Sequence, residues 1–253
     1  MKPLSIATAL LCGAVLLPSL AFAADKEQGH SWTYEGKHGP KHWSELNDDY
    51  KTCKLGHHQS PIDIRKTSKA ELPKIEFDYK PATPRILDNG HTVQVNFGAG
   101  SGITLDGKRY ELLQFHFHNP SEESINGKRY GMVAHLVHKS ADNKLAVVAV
   151  LFKNGKENPL IKTLWNQIPA EKNKEVELTG GDFDLKSLLP EQQGYYNFAG
   201  SLTTPPCSEE VNWLVLKQPV EISSQQLSQF SKIYPHNARP LQALNGRVVK
   251  ESM

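Results

Sequence analysis

Eleven histidines are spread over this 253-residue chain, and four of them fall in two short runs. These are Gln114-Phe115-His116-Phe117-His118 and Ala134-His135-Leu136-Val137-His138. On an extended strand, side chains at i and i+2 leave the same face, so His116 and His118 stand together while Phe115 and Phe117 face the other way. A third histidine on a neighbouring strand could close a three-histidine site. Zinc in such a site keeps its fourth tetrahedral position open for water, which a catalytic zinc needs and a structural one lacks. The His-x-His spacing alone is weak evidence, because a chain this rich in histidine shows it by chance.

The elements that must carry these residues are strands. Alternating or apolar runs predict strands at 92–97, 101–105, 108–118, 131–138, 145–152 and 211–217. Leu145 to Phe152 is apolar throughout, as suits a strand covered on both faces. Asp106-Gly107 and Asn126-Gly127 sit between such runs and read as hairpin turns. The similar pentapeptides around them, 106–110 and 126–130, are two turns with like chemistry and not a repeat, since their flanks differ. Helices are few. One runs from Pro159 to Gln167 with Asn158 as its cap, and one from Ser224 to Tyr234, entered through serines. No linker divides residues 24–253, so one mainly β domain is the economical reading.

The N-terminus carries Lys2, an apolar run from Leu4 to Leu17, Pro18 and then Ala21-Phe22-Ala23. This is the pattern of a secretory signal peptide, residues 1–23, cut after Ala23. A lipoprotein signal would use Cys12, but Leu11 precedes it where a small residue is wanted. Cleavage leaves Cys53 and Cys207, which in an oxidising compartment read as a disulfide; two buried thiols are the alternative. Closing so long a loop would contribute up to about 5 kcal/mol. Twenty-nine basic residues nearly balance 27 acidic ones, which recommends neither nucleic acid nor an anionic membrane as partner.

Seven segments together resemble the α-class carbonic anhydrases of the bacterial, exported kind. They are Gln59-Ser60-Pro61-Ile62-Asp63-Ile64, Asn89-Gly90-His91, residues 114–118, Ser121-Glu122, residues 134–138, residues 200–207 from Gly200 to Cys207, and Asn237-Ala238-Arg239-Pro240. They stand in that family's order and spacing over residues 30–249. The resemblance implies a single domain on a large, mostly antiparallel twisted sheet with few short helices. It implies a periplasmic enzyme that hydrates carbon dioxide reversibly to bicarbonate and a proton through zinc-bound hydroxide. Carbon dioxide and bicarbonate would be its small-molecule partners, with no membrane association after cleavage.

The resemblance also implies roles for single residues. His116, His118 and His135 would hold Zn2+, whereas His138 falls on the opposite face by strand alternation. Three neutral imidazoles leave the ion's charge to acidify a bound water to a pKa of about 7, a value for which carbonic anhydrase is itself the reference case. Glu122 would accept the hydroxyl proton of Thr203, so that the threonine oxygen accepts in turn and orients the nucleophile. Val137, Val147, Leu202, Val211 and Trp213 would wall an apolar substrate pocket, with Thr204 beside it. His91 would be the proton shuttle, and Tyr34, Asn89 and Gln94 would order water between it and the zinc. Gln94 stands where the family more often has asparagine.

Gln114 and the Asn237 carbonyl would accept from the outer ring nitrogens of His116 and His118. For His135 the family usually supplies a glutamate two residues upstream, and here that residue is Val133. Valine cannot accept the ring N–H, so His135 is expected to find water or a backbone carbonyl or to be left poorly satisfied, with weaker zinc binding and tighter binding on Val133→Glu; whether another carboxylate takes the glutamate's place is not decided by the sequence. Two other functions are compatible with such a fold: a silent binding module, which would typically lose a zinc histidine, and a zinc hydrolase acting on esters.

Overall fold

The computed structural model describes residues 31–180 and 183–253. The expected signal peptide, residues 1–23, and Cys12 lie outside the described residues. Phe115, Phe117, Ala134, Leu136, Val148 and Phe152 pack on one side of a 13-stranded sheet. Val133, Val137, Val147, Ala149 and Leu151 pack on the other. The strand Leu145–Asn154 feeds both cores with alternate residues, which is why its sequence shows no polar face. Each large side chain so buried contributes about 1.5–3 kcal/mol, so the two cores fix the register on which the histidines depend.

The main path of the sheet begins at Val176–Glu177 and continues through Arg85–Asp88, Val93–Asn96, Lys108–His118 and Met132–Ser140. It then passes Leu145–Asn154, Glu209–Leu216, Tyr195–Ser201 and Val249–Ser252, and ends at Thr67–Ala70. Most pairings are antiparallel. Leu145–Asn154 instead runs parallel to Glu209–Leu216 and to Val220–Ile222, and Val249–Ser252 runs parallel to Thr67–Ala70. A small second sheet joins Asp63–Ile64, Ser124–Ile125 and Lys128–Arg129. It anchors the segment that carries Glu122 and Glu123.

The expected strands and helices all form, with ends displaced by a few residues. Tyr195–Ser201 was not expected. Asn197 and Gly200 weaken its strand signal, and it forms because partners pair with it on both sides. Both predicted hairpin turns have left-handed central residues, with φ of 51° and 73° at Asp106 and Gly107 and 52° and 80° at Asn126 and Gly127. That is the geometry of a type I′ turn. Asn158 caps the helix Pro159–Trp165 by accepting from the Ile161 amide. Ser223 and Gln226 form a capping box on Ser224–Ile233. The one-turn helices Trp43–Leu46 and Thr52–Leu55 are too short to show a period.

Cys53 and Cys207 are joined, with Cα atoms 5.0 Å apart, and the bridge packs on Trp43. Gly200 has a packing role: a Cβ there would lie 2.2 Å from Ser60 Oγ and 2.7 Å from Trp213 Cδ1. Its hydrogen lets the Trp213 indole close over the sheet and donate to the Ser201 carbonyl at 3.0 Å.

Candidate active site

His116, His118 and His135 come together on one face of the sheet, and one nitrogen from each lies within 4.8 Å of the others. The register sets His135 directly opposite His116, and Val133 opposite His118. For each ring the nitrogen that does not point into the cluster is engaged. His116 Nδ1 lies 2.8 Å from Gln114 Oε1, and His118 Nδ1 lies 2.7 Å from the Asn237 carbonyl. This leaves Nε2 of both rings as the inward atom, and that of His118 is buried without a partner. An orphaned ring nitrogen facing two others is what a bound cation would satisfy, so the donor set fits zinc. Burial holds His116 and His118 below the ordinary histidine range, so both rings are neutral and able to donate to a metal.

The third outer contact overturns the expectation drawn from Val133. His135 Nε2 lies 2.9 Å from Glu123 Oε1, and Glu123 is fully buried. The carboxylate missing from position 133 is supplied by the segment before Ser124–Ile125, so His135 is neither unsupported nor left to water. Val133 points to the same face and packs in the core beside the site. The contact reverses the ring: His135 turns Nδ1 inward, 3.8 Å from Glu122 Oε2. Burial disfavours charge on His135, but the Glu123 carboxylate outweighs it and holds this ring above the ordinary range.

Glu122 is fully buried as well and belongs to no solvated loop. Its Oε1 accepts the Arg239 amide at 2.7 Å, and its Oε2 lies 3.6 Å from His118 Nε2. Burial raises its pKa to about 7, while His135 and the Thr203 hydroxyl favour the ionised form. The Arg239 guanidinium is also buried. It donates to Gln59 Oε1, the Ser60 carbonyl and the Cys53 carbonyl at 2.8–2.9 Å. Arg239 thus ties the Gln59-Ser60 motif and the disulfide segment, through its side chain, to the Glu122 segment, through its main-chain amide. The motif showed Arg239 without revealing this task, which only the three-dimensional path of the chain defines.

Val137, Val147, Val211 and Trp213 form one apolar cluster with Leu202 against it. The Trp213 ring stands edge-on to His135 at 4.8 Å, so this wall borders the histidine cluster. Thr203 is buried and Thr204 half-buried on the adjoining loop, where the Cys207 amide donates to the Thr204 carbonyl.

His91 lies in a turn between Arg85–Asp88 and Val93–Asn96, where the Asn89 side chain accepts from the amides of His91 and Thr92. Its ring stacks on Trp32 at 3.7 Å. Burial and then Lys172 hold its pKa down. Trp32 was not among the expected residues, since an aromatic in an N-terminal arm carries no positional signal. Gln94 is paired in register with His116, and its Oε1 accepts from Asn89 Nδ2 at 3.1 Å. Tyr34 lies near Glu122. Burial, followed by that carboxylate, raises its pKa well above the usual phenol value, so it remains a donor.

His138 is excluded from the cluster, as alternation predicts. Its Nε2 meets the Tyr79 hydroxyl at 2.9 Å in the opposite core, and its Nδ1 faces the Ala146 carbonyl at 3.3 Å. Burial lowers its pKa to about 4. The unfolded chain takes a proton there below about pH 6.5 and the folded chain does not. Its contribution to stability is therefore present at neutral pH and lost as pH falls from about 6.5 to about 4, by on the order of 3 kcal/mol. Denaturant unfolding of wild type and His138→Gln checks this. The stability difference between them should shrink or reverse across that window; a difference independent of pH would remove His138 as the cause.

A three-histidine cluster able to hold a metal ion, on the face of a large, mostly antiparallel sheet and edged by buried carboxylates and an apolar wall, has the make-up of a mainly β metalloenzyme. A family model described as eukaryotic-type carbonic anhydrase matches residues 38–253. The chain is 43% identical over 235 residues to a carbonic anhydrase of Pectobacterium carotovorum, covering 92% of this chain and 96% of that one. It is 44% identical over 250 residues to a carbonic anhydrase of Klebsiella pneumoniae, covering 98% and 99%. Among solved structures, the α-carbonic anhydrase of Thermovibrio ammonificans in complex with the inhibitor sulfanilamide superposes with a TM-score of 0.84. The two share 45% identity over 87% of this chain and 98% of that one. The chain belongs to the eukaryotic-type carbonic anhydrase family, whose members are zinc-dependent lyases.

Proposed function

We propose that this chain, exported to the periplasm after removal of residues 1–23, converts carbon dioxide and water reversibly to bicarbonate and a proton. The observation that carries this reading is the cluster of three histidines, each with its outer nitrogen held by a different partner. The disulfide supports an oxidising compartment, and no described helix is long and apolar enough to cross a membrane. Zinc held by His116, His118 and His135 would supply the Lewis acidity that makes a hydroxide nucleophile available near neutral pH.

The remaining chemistry falls to side chains around the site. Glu122 has one oxygen occupied by the Arg239 amide, and the other, buried without a hydrogen-bond partner, would accept the Thr203 hydroxyl proton. The threonine oxygen is then left to accept a hydrogen from the nucleophile, turning a lone pair of that nucleophile towards carbon dioxide. Val137, Val147, Leu202, Val211 and Trp213 offer an apolar resting place to a substrate with no net dipole, and Thr204 adds a polar edge. His91 takes up the proton that leaves, through water ordered by Tyr34, Asn89 and Gln94. Carbon dioxide hydration compared with ester hydrolysis on one metal-verified preparation tests the reaction. Hydration should dominate by orders of magnitude, and a preparation active only on esters, or on neither substrate, would reject the reading.

The shuttle has its own test. His91→Ala should slow proton-limited turnover about 10-fold or more, while carbon dioxide–bicarbonate exchange at equilibrium changes little. Imidazole buffer should restore part of the loss. If neither signature appears, protons leave by another route.

A further inference from the structure

We infer that Glu175 is a positioning residue for proton transfer, acting through a one-directional chain of three side-chain amides that ends at the His91 turn. The inference rests on the shuttle reading above. Asn89 Nδ2 donates to Gln94 Oε1 at 3.1 Å, Gln94 Nε2 to Asn96 Oδ1 at 2.7 Å, and Asn96 Nδ2 to Glu175 Oε1 at 2.7 Å. At the near end, Asn89 Oδ1 accepts from the amides of His91 and Thr92, both at 2.9 Å. At the far end, Glu175 Oε2 is paired with Arg85 Nε at 2.7 Å.

Both ends impose the same direction. Backbone N–H groups can only donate, so the Asn89 oxygen must face them and its NH2 must face Gln94. An ionised carboxylate can only accept, so the Asn96 NH2 must face Glu175 and its oxygen must face Gln94. Gln94 then has one orientation that suits both neighbours, and it is the one observed. Gln94 and Asn96 stand on the strand beside Lys108–His118, in register with His116 and Gln114. By valence, each amide keeps one N–H for water, and the oxygens of Gln94 and Asn96 each keep a lone pair, whereas both lone pairs of Asn89 Oδ1 are taken by the His91 and Thr92 amides. Glu175 lies more than eighty residues from His91 in sequence, on a loop outside the histidine cluster, yet it imposes from the far end the same direction that the His91 and Thr92 amides impose from the near end.

The Arg85–Glu175 pair is half exposed and contributes little to stability. Direction, not energy, is the contribution of Glu175. Glu175→Lys places a donor against Asn96 Nδ2. Turning over any subset of the amides then leaves at least one donor–donor contact along the chain, with the His91 turn as its fixed end. Glu175→Gln keeps an oxygen that Asn96 can use, although both variants lose the carboxylate that pairs with Arg85.

Oxygen-18 exchange on the zinc-loaded protein separates the steps. Glu175→Lys should lower the proton-dependent release of labelled water about 3- to 10-fold, with carbon dioxide–bicarbonate interconversion changed less than about 2-fold. Imidazole should restore part of the loss, and Glu175→Ala should fall between the lysine variant and wild type. Glu175→Gln should stay within about 2-fold of wild type in both rates. Side-chain amide NMR should show Asn96 perturbed in the lysine variant and nearly unmoved in the glutamine variant. Wild-type water release in Glu175→Lys while His91→Ala is slowed would overturn this inference alone. Equal losses in the lysine and glutamine variants would also overturn it, because they would assign the effect to the Arg85 pair. Wild-type turnover in His91→Ala would overturn the shuttle reading and this inference with it.

Discussion

His118→Ala should abolish carbon dioxide hydration, by more than about a thousandfold, while the protein stays folded. His118 Nε2 is a buried, unpartnered nitrogen facing two other imidazoles, and alanine leaves that corner of the metal site empty. The two remaining histidines cannot enforce tetrahedral geometry, so zinc content should fall together with activity. The fold should survive because the disulfide and the two cores on either side of the sheet do not depend on the metal. The direct structural cost is the Asn237 carbonyl, which loses the ring N–H it accepted, at about 1–3 kcal/mol. Metal analysis, stopped-flow hydration and thermal unfolding on one preparation check all three statements. Full activity in the variant would place the chemistry elsewhere.

Glu123→Ala should speed zinc loss to a chelator by about 10- to 100-fold, the usual cost of removing a carboxylate behind a metal-bound histidine. Glu123 fixes the His135 tautomer with Nδ1 inward and makes the ring a stronger donor. Once it is gone, the ring can rotate, and its outer nitrogen has no other partner among the described residues. Val133 gives the reciprocal test. Its side chain shares a face with His135 and is fully buried, so Val133→Glu alone would add a second carboxylate to a space Glu123 already serves. Like charges in a buried site disfavour each other, so this variant should be less stable and should hold zinc no better. The pair Glu123→Ala with Val133→Glu should recover part of the lost retention, because a carboxylate then approaches from the strand of His135 itself. Tighter zinc in Val133→Glu alone, or unchanged loss in Glu123→Ala, would show that the 2.9 Å contact does not support the metal site.

The sequence by itself determined the strand that presents His116 and His118, because a period of two is a local property. It determined the two type I′ turns, since Asp106-Gly107 and Asn126-Gly127 allow few other conformations, and the capped start of the helix at Pro159. It placed His138 away from the site for the same reason of alternation. Val133 was legible as a departure, and its consequence was not. Glu122 and Glu123 are identical neighbours in the chain, and nothing local says that one meets Arg239 and the other His135. Their directions follow from the small sheet at Ser124–Ile125 and from the bonding of residues 237–239 to the end of Lys108–His118 and to Glu122. The amide chain to Glu175, the stacking of Trp32 on His91 and the task of Arg239 likewise join segments far apart in sequence. Spacing along a strand is read from neighbours, whereas hydrogen-bond partners between distant segments exist only once tertiary packing has set them side by side.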